Sequence, residues 1–315
     1  MTLLSRTADN LFWIARYVER AESLARILDT ASRLSSLPIA YGGQSTEWES
    51  AIATAGCEAG FLDAHPTFTP EAVVDFLAFS PDNPSSIRRC LETARASARA
   101  ERTALTLEMW ESINSTYLEM QSWSSRGADL SDLQRFITFV KSASLSFDGS
   151  AYRTMLRNDA FWFERLGMFV ERADNTARIL DVKYHVLLPD HALVGGGLDY
   201  YQWAAILRSV SALTSYRWVY RAGVKPWLVA DLLILQEAMP RSLANCCASM
   251  SRFLDDISNA YGRQGASQRL ARNLHSRLRN LKIEAIFQSG LHEFVKEFID
   301  ENNRLGAAIV DQYLV

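Results

Sequence analysis

YVERAESLARILD at residues 17–29 and FVERADNTARILD at residues 169–181 are two versions of one segment, 152 positions apart. The identities include Glu19/Glu171, Arg20/Arg172, Ala21/Ala173, Arg26/Arg178 and Asp29/Asp181. A second pair lies further along, PEAVVDFLAFSPDNPSSIRRC from Pro70 to Cys90 and PWLVADLLILQEAMPRSLANC from Pro226 to Cys246. At an offset of 156 it keeps Pro70/Pro226, Asp75/Asp231, Pro84/Pro240, Ser86/Ser242 and Cys90/Cys246 in register. Two matched blocks, in the same order and nearly equally spaced, point to an internal duplication with approximate repeats 1–150 and 151–315. The four extra residues are expected in the loop between the blocks, where the second copy carries Gly195-Gly196-Gly197. Beyond Cys90 and Cys246 the two halves no longer align.

The hydrophobic period of the matched segments sets the fold class. Leu11, Ile14, Val18, Ala21, Ala25 and Leu28 step by 3,4,3,4,3, and Phe163, Leu166, Val170, Ala173, Ala177 and Leu180 repeat the steps. That is an apolar seam for helix-on-helix packing, and alanine at four central positions lets a partner helix come close. Pro70/Pro226 and Pro84/Pro240 suit the starts of shorter helices. The expectation is an all-α multi-helix bundle built from two diverged copies of a long-helix plus short-helices unit, forming a single domain over 1–315. Helices are expected near 8–35, 46–57, 70–79, 85–125 (one helix or two), 130–156, 158–188, 199–222, 226–236, 240–261, 267–282 and 285–313.

Bulk composition excludes several classes. A net charge of -3 and a pI near 6.0 argue against a nucleic-acid binder, because the basic cluster from Arg263 to Arg279 is balanced by acids elsewhere. Eight Trp and fifteen Phe are too many large apolar groups for a disordered chain. Cys57, Cys90, Cys246 and Cys247 show no CxxC pairing and no metal-ligand spacing, so they read as small buried residues in a reducing compartment, with no metal site. The N-terminus has no signal-peptide core, and the apolar run Trp227–Leu235 is short and carries Asp231. A cytoplasmic protein with no membrane span is expected.

Charged residues form a stripe beside the seam. Glu19, Glu22, Arg26 and Asp29 follow i, i+3, i+7, i+10, and Glu171, Asp174, Arg178 and Asp181 repeat the pattern. Arg20 and Arg172 lie on the adjoining flank. Glu22–Arg26 and Asp174–Arg178 have the favourable acid-first i,i+4 order.

Both copies of V-E-R-A-[ED]-x-x-A-R-I-L-D, the opening SRTADNLFWIARYVERAE and the later NPSSIRRC resemble the bacterial alpha-E domain family, named for its helices and an ER motif. The resemblance spans essentially the whole chain. It implies a genomic neighbourhood, or fusion, with circularly permuted ATP-grasp proteins and often a transglutaminase-like protein. The partner it suggests is an ATP-grasp-type amide ligase that makes or modifies peptides. It assigns no biochemical role to the alpha-E protein itself.

Two readings of the stripe stay open. Glu, Arg and Asp beside an alanine seam suit inter-helix ion pairs that fix register. Alternatively, Arg20, Arg26, Arg172 and Arg178 line a pocket for a peptide carboxylate or a phosphate. Arg241, after Pro240, could assist an anion at a helix start, although only one copy carries it and plain surface placement is the simpler expectation. The arginines at 88, 89, 95, 99 and 102 could face an acidic partner or be neutralised by Glu92 and Glu101, and a solvated face is the default expectation.

Catalytic signatures are scarce. His65, His185, His191, His275 and His292 have no Glu three residues earlier, as a ferritin-like site would need, and HExxH, GxSxG and Walker-type loops do not occur. No cofactor is implied. The preferred expectation is an accessory or scaffold subunit for the ligase. The alternatives are a novel enzyme using Glu19 and Glu171 as acid/base groups, and a homo-oligomeric assembly module.

Overall fold

A computed structural model describes residues 3–36, 47–124, 129–187 and 197–314, and no strand occurs among them. Helix α1 spans Ser5–Ser35, followed by α2 (Glu47–Ala55), α3 (Glu58–Ala64) and α4 (Pro70–Val74), which runs on as a π turn over Asp75–Phe79. Next come α5 (Ile87–Ala100), α6 (Leu107–Ser124), α7 (Leu133–Thr154) and α8 (Asp159–Leu187). The remainder is α9 (Gly197–Ser209), α10 (Leu213–Tyr220), α11 (Pro226–Ile234), α12 (Leu243–Tyr261), α13 (Ala266–Asn280), α14 (Ile283–Ser289) and α15 (Leu291–Ile309). The all-α expectation holds.

The long helices α1 and α8 form the centre and run in the same direction. The Leu3 backbone N–H donates to Asp159 Oδ2 at 2.9 Å, and further along Glu19 meets Arg172. Their seams do what the alanines predict: Ala21, Ala25, Ala173 and Ala177 are all at most 1% exposed. The two helices come close at Gly167, where a Cβ atom would lie 2.1 Å from the Phe12 carbonyl oxygen. Only glycine fits there, so the two backbones touch. α5 and α7 pack on α1, α12 and α15 pack on α8, and α2 lies against both central helices.

Helix starts and stops follow from local chemistry. Pro70 and Pro226 occupy the first turns of α4 and α11. The Ser86 hydroxyl accepts from the Arg89 N–H, and Ser242 from the Asn245 N–H, so each serine caps the helix it precedes. Between α2 and α3 the chain turns at Gly56, with φ +69°; between α9 and α10 it turns at Ser211, with φ +59°. Both turns carry the same two backbone bonds, Gly56 N–H to Ala53 and Cys57 N–H to Ile52 in one, Ser211 N–H to Arg208 and Ala212 N–H to Leu207 in the other.

Several expected boundaries move. The left-handed Ser211 splits the helix expected over 199–222. Gly290, with φ +98°, splits that expected over 285–313, and 85–125 resolves into α5 and α6. Helix α3 has no counterpart in the expected set, since seven residues are too few to show a period. His191, Gly195 and Gly196 lie outside the described residues, as does the His185 side chain.

Candidate functional site

Glu19, Arg20, Glu171 and Arg172 meet where α1 and α8 pair, and they bond crosswise. Arg172 donates to both Glu19 oxygens, from Nε at 3.0 Å and Nη2 at 2.8 Å. Arg20 donates to both Glu171 oxygens, from Nε at 2.6 Å and Nη2 at 3.0 Å. Each carboxylate of one helix is therefore gripped by the arginine of the other, in the bidentate geometry that a planar guanidinium favours. A second arginine completes each pair: Arg241 Nη1 reaches Glu19 Oε1 at 2.9 Å, and Arg16 Nε reaches Glu171 Oε2 at 2.8 Å.

The i,i+4 pairs extend the lattice along each helix. Arg26 donates twice to Glu22, at 2.6 and 3.0 Å, and also to the Ser209 carbonyl and to Ser211 Oγ. Glu22 accepts further from Arg241 at 2.7 Å and from Ser144 Oγ at 2.7 Å, which ties α7 to α1. On α8, Arg178 donates to Asp174 at 2.6 Å and to the Thr54 carbonyl at 3.4 Å. Asp29 holds Arg33 and Lys141, while Asp181 meets His292 of α15 at 2.7 Å.

Burial makes these contacts energetically serious. Glu19, Glu22, Arg26 and Glu171 are each less than 5% exposed. Burial alone pushes the Glu19 carboxyl up, but Arg172 and Arg241 outweigh it and hold it down at about 2. Glu22 and Glu171 are likewise lowered, burial being overcome by Arg241 and by Arg20 and Arg16 respectively. Asp174 goes the other way: burial raises it beyond what Arg178 recovers, and its Oδ1 has no hydrogen-bond partner. A carboxylate held at about 2 is a weak base near neutral pH. Acid/base chemistry at Glu19 therefore finds no support in its electrostatics.

Two hollows lie among the described residues without being lined by Glu19, Arg20, Glu171 or Arg172. A void of about 10 Å³ between α1, α5, α6 and α7 reaches α1 only through Val18 and Ala21. A larger cleft of about 450 Å³ lies among α11, α12, α13 and α14, away from the α1–α8 seam.

Of the seven residues singled out from sequence, Glu19, Arg26, Arg172 and Arg241 join one cluster through Glu22, Arg20 and Glu171 form a second with Arg16, and Arg178 pairs separately with Asp174. Arg241 corrects the expectation of surface placement: it is 13% exposed and bridges Glu19 to Glu22. Arg16 and Ser144 escaped the sequence reading. Arg16 stands one turn before Arg20, a spacing that could have flagged it; nothing local marks Ser144. Among the outer arginines, Arg88 and Arg89 pair with Glu92 as expected, whereas Glu101 is buried and bonds Thr7, Asn10 and Arg6 instead. Phe161, Phe163 and Trp203 are core residues; Tyr200 and Tyr201 are exposed.

An uncharacterized protein of Mycobacterium bovis is 22% identical over 321 residues, covering 93% of this chain and 35% of its own length. Two uncharacterized proteins from strains of Mycobacterium tuberculosis match with the same identity and coverage. The chain thus spans about a third of the length of these relatives. No solved structure matches. Residues 3–314 match the Alpha-E family, described as a predicted alpha-helical domain with a conserved ER motif, and the chain, whose two Glu-Arg steps lock its central helices together, belongs to that family.

Proposed function

We propose that this chain is a non-catalytic helical scaffold that works in the cytoplasm beside an ATP-grasp-type amide ligase in peptide synthesis or modification, with a transglutaminase-like protein as a further candidate partner. The observation that carries this reading is the crosswise pairing of the ER residues. Each carboxylate of the Glu19, Arg20, Glu171, Arg172 quartet is held by two nitrogens of the opposite helix's arginine, which favours a structural role for these residues and leaves the outer surface for partners. The partner class comes from the family resemblance. The larger size of the mycobacterial relatives supports a unit that acts alongside other domains. Three buried free thiols suit a reducing compartment.

The internal duplication, with repeats near 1–150 and 151–315, belongs to the same proposal. The crosswise ER pairs, the like turns at Gly56 and Ser211, and the serine caps at Ser86 and Ser242 all support it.

The test is co-expression of the full chain with a tagged ATP-grasp protein from the same genome, followed by size-exclusion chromatography. A complex that persists at micromolar concentration is expected. Separate elution at about 50 μM, well above the Kd of an ordinary specific interface, would overturn the partnership.

A further inference from the structure

Charge is segregated along this chain. Between residues 34 and 87 there are seven acids (Glu47, Glu49, Glu58, Asp63, Glu71, Asp75, Asp82) and no Lys or Arg. Between residues 257 and 283 there are six cations (Arg263, Arg269, Arg272, Arg277, Arg279, Lys282) and no Asp or Glu. The first stretch builds α2, α3 and α4; the second builds α13.

On α13, Arg269, Arg272, Ser276 and Arg279 follow i, i+3, i+7, i+10 and share one outward face, with Lys282 just beyond the helix end. Arg277 instead turns inward, to Glu297 and Glu301 of α15. Arg272 pairs with Asp255 through Nε and Nη2, and Arg269, Arg279 and Lys282 are exposed and make no ion pair among the described residues. The adjacent 450 Å³ cleft shares Arg279 and Lys282 but also carries Asp231, Glu237 and Glu284, and its mixed charge selects no single ligand.

We propose that the cationic face of α13 docks onto the acidic α2–α4 segment of a second copy of this chain. Charge complementarity argues for that occupant. Glu49, Glu58, Asp63, Glu71 and Asp82 are exposed and make no ion pair among the described residues, so five acids await cations just as α13 presents cations awaiting acids. The two elements sit on different helices of the bundle: α13 packs on α12 and α15, and α2 on α1 and α8. Both faces are exposed in one copy, so two copies can pair them reciprocally about a two-fold axis, or successive copies can pair them in a ring or filament. Docking through exposed charges is steered by long-range attraction, which a Debye length of about 10 Å at 0.1 M salt largely removes.

Sedimentation velocity of the full chain at about 100 μM tests this. At about 20 mM salt, species larger than the 35.4 kDa monomer are expected, with association weakened at least tenfold at about 500 mM. Reversal of either face, by R269E/R279E/K282E or by E58K/D63K/E71K, should abolish self-association while leaving the melting curve in place. An equimolar mixture of the two reversed proteins should associate again, because each supplies the face the other lacks. If a triple variant fails to fold, R279E and E71K serve as the milder pair. A monomer at about 20 mM salt, or association indifferent to both reversals, overturns the proposal. So does an R269/R279-dependent attachment of monomeric chain to vesicles containing anionic lipid, which would give the face to a membrane surface.

Discussion

Replacing Glu19 by Gln removes one negative charge from the centre of the lattice while preserving shape, so the variant mimics the protonated acid. Three arginine bonds converge on Glu19, at 2.8, 2.9 and 3.0 Å. Two estimates of the cost agree. Holding the carboxyl at about 2 rather than the usual 4.5 corresponds to about 3 kcal/mol of folded-state preference for the charged form. Removing one partner of a buried ion pair generally costs about 3–5 kcal/mol, because the remaining charges are left uncompensated. The sign with pH is fixed: the folded value is depressed, so this stability is present above pH 4.5 and is lost as pH falls towards 2. The gap between wild type and Glu19→Gln in urea unfolding should thus be about 3 kcal/mol at pH 7 and narrow to about 2 kcal/mol at pH 3.5. A gap below about 0.5 kcal/mol at neutral pH, the size of an ordinary surface change, or a gap that does not move with pH, would refute the reasoning.

Gly167→Ala should lower the melting temperature and cost at least about 1–3 kcal/mol, since its methyl would strike the Phe12 backbone and force α1 and α8 apart. Cys90 and Cys246, whose thiols burial pushes up to about 12, should resist alkylation of the folded protein at pH 8 and react only in denaturant, as mass spectrometry would show.

Much of the centre was legible from residue spacing. The 3,4,3,4,3 step named the buried face of α1 and α8, and the i,i+4 order named the Glu22–Arg26 and Asp174–Arg178 pairs that the structure contains. Spacing speaks only for one helix at a time, however. That Arg20 serves Glu171 while Arg172 serves Glu19 depends on two helices lying parallel, some 150 residues apart in the chain, and neither segment states that alone. Arg241 was misplaced for a related reason. A charged residue just before a helix start is commonly solvated, and only the fold brings it over the α1 carboxylates. Breaks such as Ser211 escaped notice because a non-glycine residue at positive φ carries no strong sequence mark.

The parallel contact between α1 and α8 also bears on synthesis. α1 leaves the ribosome about 150 residues ahead of its mate, an interval of roughly 10–30 s at ordinary elongation rates. Throughout that wait its future contact surface faces the surrounding medium. That surface carries Leu11, Phe12 and Ile14, and the glutamates and arginines set among them keep part of it hydrated until its counterpart arrives. The same charges that clasp the finished molecule thus shield the unfinished one.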